Sequence, residues 1–249
     1  MKISLLQPDI VWGNPVANHE HLEEMMWGLE RSDLYVLPEM CSTGFAVQPA
    51  GIAEVDGCSL AWMKRMAVEL KGAVCGSVAV DEDGTFFNRF YFVKPNGDVV
   101  AYDKRHLFTY GDEHRHYQRG SQRAVVEYRG CRFLLQVCYD LRFPCFSRNN
   151  EKIPYDCALY VASWPTSRLA VWDTLLHARA IENQCYVAGV NRIGSDTACQ
   201  YSGGTMLVDA YGNTAAACPL DEESAITIDL DLQRLRDFRR KFPVLKDAD

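Results

Sequence analysis

Short apolar runs alternate along this chain with longer stretches whose apolar positions recur every three or four residues, the two periods that separate buried strands from amphipathic helices. Residues 2–7 form an apolar run, followed by a turn holding Pro and Gly and then a helical pattern with Leu22, Met25, Met26 and Leu29 on one face. The apolar run 34–37 stops at Pro38 and Glu39, as a buried strand does where it leaves its sheet. Glu39 is therefore expected at the carboxyl end of a strand. A helix over 60–70 leads into the run 73–80, and runs 86–93 and 99–103 flank Pro95-Asn96-Gly97-Asp98, a hairpin signal. Lys104 follows that hairpin directly, and the polar, His-rich segment 108–122 reads as a long surface loop of the kind that walls binding sites.

The second half repeats the alternation. Run 131–137 ends at Cys138, and run 157–162, a helix over 172–184, run 185–190 and late strands at 205–208 and 225–230 precede a terminal helix. Strands alternating with helices, with hairpins between them, predict an α/β fold of mixed sheets covered by helices on their outer faces. Neither a repeat nor a linker interrupts the 249 residues, so one domain over 1–249 is expected.

Composition narrows the partners. At 48% hydrophobic and 24% charged the chain matches an ordinary globular protein. A net charge of −7 disfavours phosphate backbones and anionic lipid, so no nucleic acid and no membrane partner is expected. The one basic cluster, Arg236, Arg239, Arg240 and Lys241, is mixed with Asp237 and reads as a solvated helix face. No run approaches the roughly 18 apolar residues of a membrane span, and residues 1–9 enter a strand without the apolar segment and cleavage site of a signal peptide. Ten scattered cysteines without a C-x-x-C pair fit reduced thiols, and a cytoplasmic location is expected.

Three residues able to carry chemistry, Glu39, Lys104 and Cys138, each fall just after a strand, where open α/β sheets place their ligand crevices. Singly, each has a plain scaffold reading: a polar strand end, a solvated charge and a small buried hydrophobe. His106, His114 and His116 lack a convergent ligand set, so no metal is expected. Cys131 and Cys145, seven residues either side of Cys138, read as packing residues. Arg179 and Glu182, three apart on one helix, are expected to pair in support of the site.

The segments Leu-Pro-Glu-Met at 37–40, Tyr-Asp-Lys-Arg-His-Leu at 102–107 and Cys-Tyr-Asp-Leu-Arg-Phe-Pro at 138–144 together resemble the three signature segments of the nitrilase superfamily. The resemblance runs from Gln7-Pro8 to the last strands. It implies a four-layer α-β-β-α sandwich in which Glu39, Lys104 and Cys138 converge as a catalytic triad, with no cofactor and with a homodimer formed through the outer helices. Glu113 matches the family's second glutamate, with Asp112 as the neighbouring alternative.

Each role then has a chemical reason. A thiol is mostly protonated at neutral pH, and Glu39 and Lys104 supply the base and the positive charge that a nucleophilic Cys138 needs. The Lys104 ammonium and the backbone N–H of Tyr139 are suited to the oxyanion formed at an attacked carbonyl. Gly-Asp-Glu-His at 111–114, Ala-Ser-Trp-Pro at 162–165, Arg-Ala-Ile-Glu-Asn-Gln at 179–184 and Val-Asn-Arg-Ile-Gly at 190–194 look most like bacterial ω-amidases. That resemblance implies a small-molecule substrate, a dicarboxylic acid monoamide such as α-ketoglutaramate or α-ketosuccinamate. Its far carboxylate calls for an arginine, with Arg168 preferred over Arg142 and Arg192, and Trp164 is a candidate pocket wall. N-carbamoyl-amine hydrolysis, deaminated glutathione amidase activity and a non-catalytic cysteine redox sensor are the alternatives. A nitrilase proper ranks below them, because Tyr139 stands where such enzymes commonly carry Trp followed by Glu.

Overall fold

The first apolar run forms strand β1 (Lys2–Gln7), and the computed structural model describes residues 1–247. Helix α1 (Pro15–Trp27) follows, started by Pro15 in its first turn and by the Asn14 side chain, which accepts from the Ala17 N–H. Strand β2 (Leu34–Val36), helix α2 (Cys58–Leu70), strand β3 (Ala73–Glu82) and the hairpin of β4 (Thr85–Val93) and β5 (Val99–Asp103) complete the first half. The second half holds β6 (Val125–Tyr128), β7 (Cys131–Val137), the short α3 (Pro144–Ser147), β8 (Cys157–Val161), α4 (Leu169–Asn183) and β9 (Tyr186–Val190). A small ribbon of β10 (Ile193–Ser195) and β11 (Gln200–Ser202) comes next, then β12 (Met206–Val208), β13 (Thr214–Ala217), β14 (Ser224–Asp229) and α5 (Leu232–Lys241).

Two six-stranded sheets result, in the orders β14-β1-β2-β3-β4-β5 and β13-β12-β9-β8-β7-β6. Each has three parallel strands at its heart, β1-β2-β3 in one and β7-β8-β9 in the other, with antiparallel strands on both flanks. The inner faces meet in a core that includes Leu5, Val36, Phe90, Phe92, Phe133, Leu135 and Leu159. Helices α1 and α2 cover the outer face of the first sheet through Leu22, Met26, Met63, Met66 and Leu70. Helix α4 covers the second through Trp172, Leu176 and Ala180, a spacing of four that keeps one face turned inward. The layers therefore stack α-β-β-α, as the resemblance implied.

Close approach requires glycine at Gly189 and Gly76, among other positions. A Cβ on Gly189 of β9 would lie 2.4 Å from Leu176 and 2.8 Å from Trp172, and one on Gly76 of β3 would lie 2.8 Å from the Leu37 Cβ. The second contact seats the segment that carries Glu39 directly on the neighbouring strand.

Three expectations need correction. The segment 108–122 is not simply a surface loop, because it folds into two short 3₁₀ turns, Thr109–Gly111 and Glu113–Arg115, that drive Glu113 into the interior. Cys131 is a core residue, but Cys145 is exposed at the start of α3 and lies outside the hydrophobic core. The basic cluster of α5 is only partly solvated: Arg239 reaches inward to Asp156, at 2.9 Å, and to the carbonyls of Gln184 and Tyr155, which pins the helix to the sheet edge. Strands β6, β10, β11 and β13 had no sequence expectation. Among the described residues no helix is long and apolar enough to cross a membrane.

Candidate active site

Glu39 lies three residues beyond β2, on backbone tied to β3 by Leu37 N–H to the Cys75 carbonyl at 2.7 Å and Cys41 N–H to the Ser77 carbonyl at 3.1 Å. Lys104 follows β5, its N–H donating to the Asn88 carbonyl at 2.9 Å. Cys138 follows β7 and takes a left-handed backbone, φ 46°. That conformation is costly for a residue with a Cβ and is the kind of strain that persists where packing over-determines it, as at functional sites. It turns the chain sharply out of the strand and leaves Cys138 half-buried beside a pocket.

The side chains converge. The Lys104 ammonium donates to Glu39 Oε1 at 2.8 Å and to Glu113 at 3.0 Å and 2.9 Å, one contact to each oxygen. All three side chains have no exposed surface. Neutral donors complete the cluster: Asn88 Nδ2 to Glu39 Oε1 at 2.8 Å and to Glu113 Oε1 at 3.2 Å, the Ser163 N–H to Glu39 Oε2 at 2.8 Å, and the Phe108 N–H to Glu113 Oε2 at 2.6 Å. The Phe45 ring faces the ammonium, 5.4 Å from its centroid.

Burial and neighbouring charge shift these groups in opposing directions. Burial pulls the Lys104 pKa down, but Glu113 and Glu39 outweigh it and hold the ammonium charged well above its ordinary range. Burial, opposed by Lys104 and reinforced by the charge of Glu39, raises the Glu113 carboxyl. Burial and then the charge of Glu39 push the Cys138 thiol well above its ordinary value despite the opposing pull of Lys104. Cys138 is thus held toward its thiol form, beside Glu39. Such a group can react only as its proton leaves, which makes a base in contact with it a requirement.

The pocket on which Cys138 opens is lined by Phe45, Phe108, Tyr139, Trp164, Pro165 and Tyr201, with Arg142, Arg168, Ser163 and Cys199 among them. Arg142 lies over the Trp164 ring at 5.1 Å and Arg168 over the Phe108 ring at 5.3 Å. A guanidinium held by its face keeps its N–H edge for a planar anion. Trp164 is buried, its Nε1–H on the Arg168 carbonyl at 2.8 Å.

Of the residues singled out from the sequence, Glu39, Lys104, Glu113, Cys138, Tyr139, Trp164, Arg142 and Arg168 meet here. Arg192 does not: it is fully buried against Asp9 and the Ile10 and Ile193 carbonyls, and the Tyr201 ring covers it, so it is scaffold. Asp112 is exposed and pairs with Arg115. Arg179 pairs with Glu182 at 3.0 Å and also donates to the Leu141 carbonyl at 2.6 Å, bracing the turn after Cys138. His106 is half-buried against aromatic rings, and His114 and His116 are exposed.

Sequence reasoning passed over Asn88 and Ser163. Asn88 was legible in principle, as a buried amide within the apolar run of β4, whereas the Ser163 contribution is a backbone N–H and leaves no trace in residue type.

A family model described as carbon-nitrogen hydrolase matches residues 2–240. The Escherichia coli K12 protein named omega-amidase YafV is 44% identical, covering 100% of this chain and 97% of its own. A Bacillus subtilis 2-oxoglutaramate amidase is 35% identical over 98% of this chain and 96% of its own length. A Xanthomonas campestris carbon-nitrogen hydrolase superfamily protein, solved with an arsenic adduct in its active site, is 39% identical with a TM-score of 0.96, covering 100% of this chain and 97% of that one.

Lys104→Ala leaves two buried carboxylates without their cation, and breaking a buried ion pair from one side costs about 3–5 kcal/mol. Urea unfolding at pH 7 is expected to read a loss of that size. The sign with pH follows from the raised carboxyl: a buried acid whose charged form is disfavoured lowers stability as pH rises above its unfolded value, about 4.3. The deficit should therefore shrink as pH falls toward that value. A deficit independent of pH contradicts the assignment.

Proposed function

The chain belongs to the carbon-nitrogen hydrolase family, and on that premise we propose that it is an ω-amidase, hydrolysing the terminal amide of a dicarboxylic acid monoamide such as α-ketoglutaramate. It is a cysteine-dependent amidase acting on a small molecule. One observation carries the substrate class: Arg142 and Arg168 stand in the pocket of Cys138, each stacked on an aromatic ring and neither in an ion pair among the described residues. A linear amide with a carboxylate at its far end fits such a pocket, because the guanidinium edges fix the acid while the amide meets the sulfur.

Chemistry at the near end uses the triad. As the Cys138 sulfur attacks the amide carbon, its proton passes to Glu39. The negative charge on the carbonyl oxygen faces the Lys104 ammonium and the Tyr139 backbone N–H. Collapse breaks the C–N bond, and Glu39 returns the proton to the departing nitrogen, so ammonia leaves and a thioester remains on Cys138. Glu39 then takes a proton from water as it attacks the thioester, and the acid departs with the thiol restored. Glu113 touches the reaction only through Lys104. Its two contacts keep the ammonium charged and aimed, and no cofactor enters these steps.

The same reading includes a cytoplasmic homodimer. The ten cysteines stand free, and Ile181 on α4, Tyr211 and Phe242 beyond α5 are exposed apolar residues on the outer-helix side. The Tyr211 and Phe238 rings stack at 4.0 Å, and Gly212 abuts Ile181, which makes the patch continuous. Sedimentation velocity at assay concentration is expected to give the mass of two chains; a single-chain mass removes the dimer from the proposal.

Purified protein is expected to hydrolyse α-ketoglutaramate, read as ammonia, in preference to an N-carbamoyl amine, also read as ammonia, or deaminated glutathione, read as the released cysteinylglycine, and Cys138→Ala to abolish it. Removing a charged hydrogen bond costs about 1.5–3 kcal/mol. Arg168→Gln should accordingly raise KM roughly 10- to 100-fold for the acid amide, while an uncharged aliphatic amide keeps its KM. Preference for the carbamoyl amine, or an Arg168→Gln variant with unchanged KM, overturns the substrate reading.

A further inference from the structure

Two residues beyond Cys138, Asp140 is fully buried and lies outside the pocket lining. Its carboxylate collects four donors. Oδ2 accepts from the Val137 N–H at 3.0 Å and the Tyr102 hydroxyl at 2.7 Å, and Oδ1 accepts from the His106 N–H at 2.9 Å and meets His106 Nδ1 at 2.7 Å. The Tyr102 hydroxyl in turn accepts from the Arg105 N–H at 3.1 Å. The His106 ring is held flat against Phe143, centroids 3.9 Å apart, with the Phe146 edge at 5.3 Å.

The partners are not scattered. Val137 immediately precedes the nucleophile, and Arg105 and His106 immediately follow the lysine. One carboxylate thus joins, within one or two residues, the backbone that presents the sulfur and the backbone that presents the ammonium. These two segments belong to different sheets, β7 in one and β5 in the other, so no strand ladder sets the distance between them. Cys138 also holds its strained left-handed turn while Asp140 ties the Val137 N–H across it.

We propose that Asp140 is a positioning residue for the hydrolysis: its carboxylate locks the Cys138 turn to the Lys104 segment, fixing the separation of sulfur and ammonium without touching either. The inference rests on Glu39, Lys104 and Cys138 acting as the catalytic triad. Buried, with every lone-pair direction engaged, this acid is better explained by that clamp than by solvation or by contact with substrate.

Asp140→Asn is the primary test, since the amide keeps the shape and turns one acceptor into a donor facing donors. A displacement of about 1 Å at a reacting group costs roughly 10²-fold. The expected result is a kcat lower by about that factor with KM within about twofold, in a protein that still unfolds cooperatively above assay temperature. Tyr102→Phe, which keeps the ring but removes both the hydrogen bond to Asp140 and the one accepted from the Arg105 N–H, is expected to lower kcat roughly 5- to 30-fold, again with KM held, at about 1 kcal/mol for each bond. Iodoacetamide should still label Cys138 in both, a readout showing that the nucleophile is present while chemistry is slow. If Asp140→Asn does not fold, Tyr102→Phe decides alone. A kcat within about twofold of the parent in a folded Asp140→Asn, an unchanged kcat in Tyr102→Phe, or a rise in KM at constant kcat overturns the proposal. Residual activity in Cys138→Ala would instead bring down the triad reading.

Discussion

An ammonium enclosed with two carboxylates, none with exposed surface, is the constraint to which the rest of the structure answers. Removing each ion from water costs several kcal/mol even after relaxation, and mutual attraction offsets that only when the geometry is good and the remaining lone pairs are met. Lys104 contacts three carboxylate oxygens, and the Asn88 amide and the Phe108 and Ser163 N–H groups supply the rest of the donors. These donors come from β4, from the loop before Glu113 and from the segment after β8. Both sheets and the folded-in loop must therefore be in place before the charges can be buried together. Electrostatic demand at the site and the packing of the sandwich are one requirement seen from two ends.

The same cluster decides how Cys138 would work as the proposed nucleophile. With two acids against one ammonium, the local field does not favour a resting thiolate, and the Cys138 thiol sits high for that reason as well as for its burial. In the proposed mechanism sulfur becomes reactive only in the act of losing its proton to Glu39, with Lys104 waiting for the charge that develops on substrate oxygen. A site of this kind withholds an exposed, oxidisable thiolate and produces the nucleophile where an amide is already seated. In the same proposal the aromatic walls and the two guanidiniums that lie over rings of the pocket choose what is seated.

Much of this is legible in the chain, and the exceptions have physical causes. Glu39 and Cys138 can be placed at strand ends because buried parallel strands write themselves as continuous apolar runs, whereas Lys104 is placed by the hairpin signal of the antiparallel β4–β5 pair that it follows. Matching three ordered segments to one family then supplies the layers. Strands β6, β10, β11 and β13 leave too faint a pattern, being short edge pieces with exposed faces. Segment 108–122 reads as surface because its polarity is real; what polarity cannot reveal is that Glu113 turns inward to a buried cation. Arg142, Arg168 and Arg192 are indistinguishable as residue types. Only the structure separates Arg192, locked against Asp9 and backbone carbonyls, from the two whose guanidiniums face the pocket. Asp140 lies in plain view within the Cys-Tyr-Asp segment, but its importance depends on where the hairpin of the other sheet delivers residues 105 and 106.

The most direct measurement of the central claim, that amide cleavage passes through a thioester on Cys138, is partition of that intermediate between water and a second nucleophile. Succinamate, which has no keto group to react with the trapping agent, would be turned over in rising hydroxylamine while ammonia, succinate and the hydroxamate are followed together. A shared thioester is expected to divert product from succinate to hydroxamate in proportion to hydroxylamine without slowing ammonia release. Succinate alone at every hydroxylamine concentration would mean that water attacks the amide directly, and would contradict a nucleophilic role for Cys138.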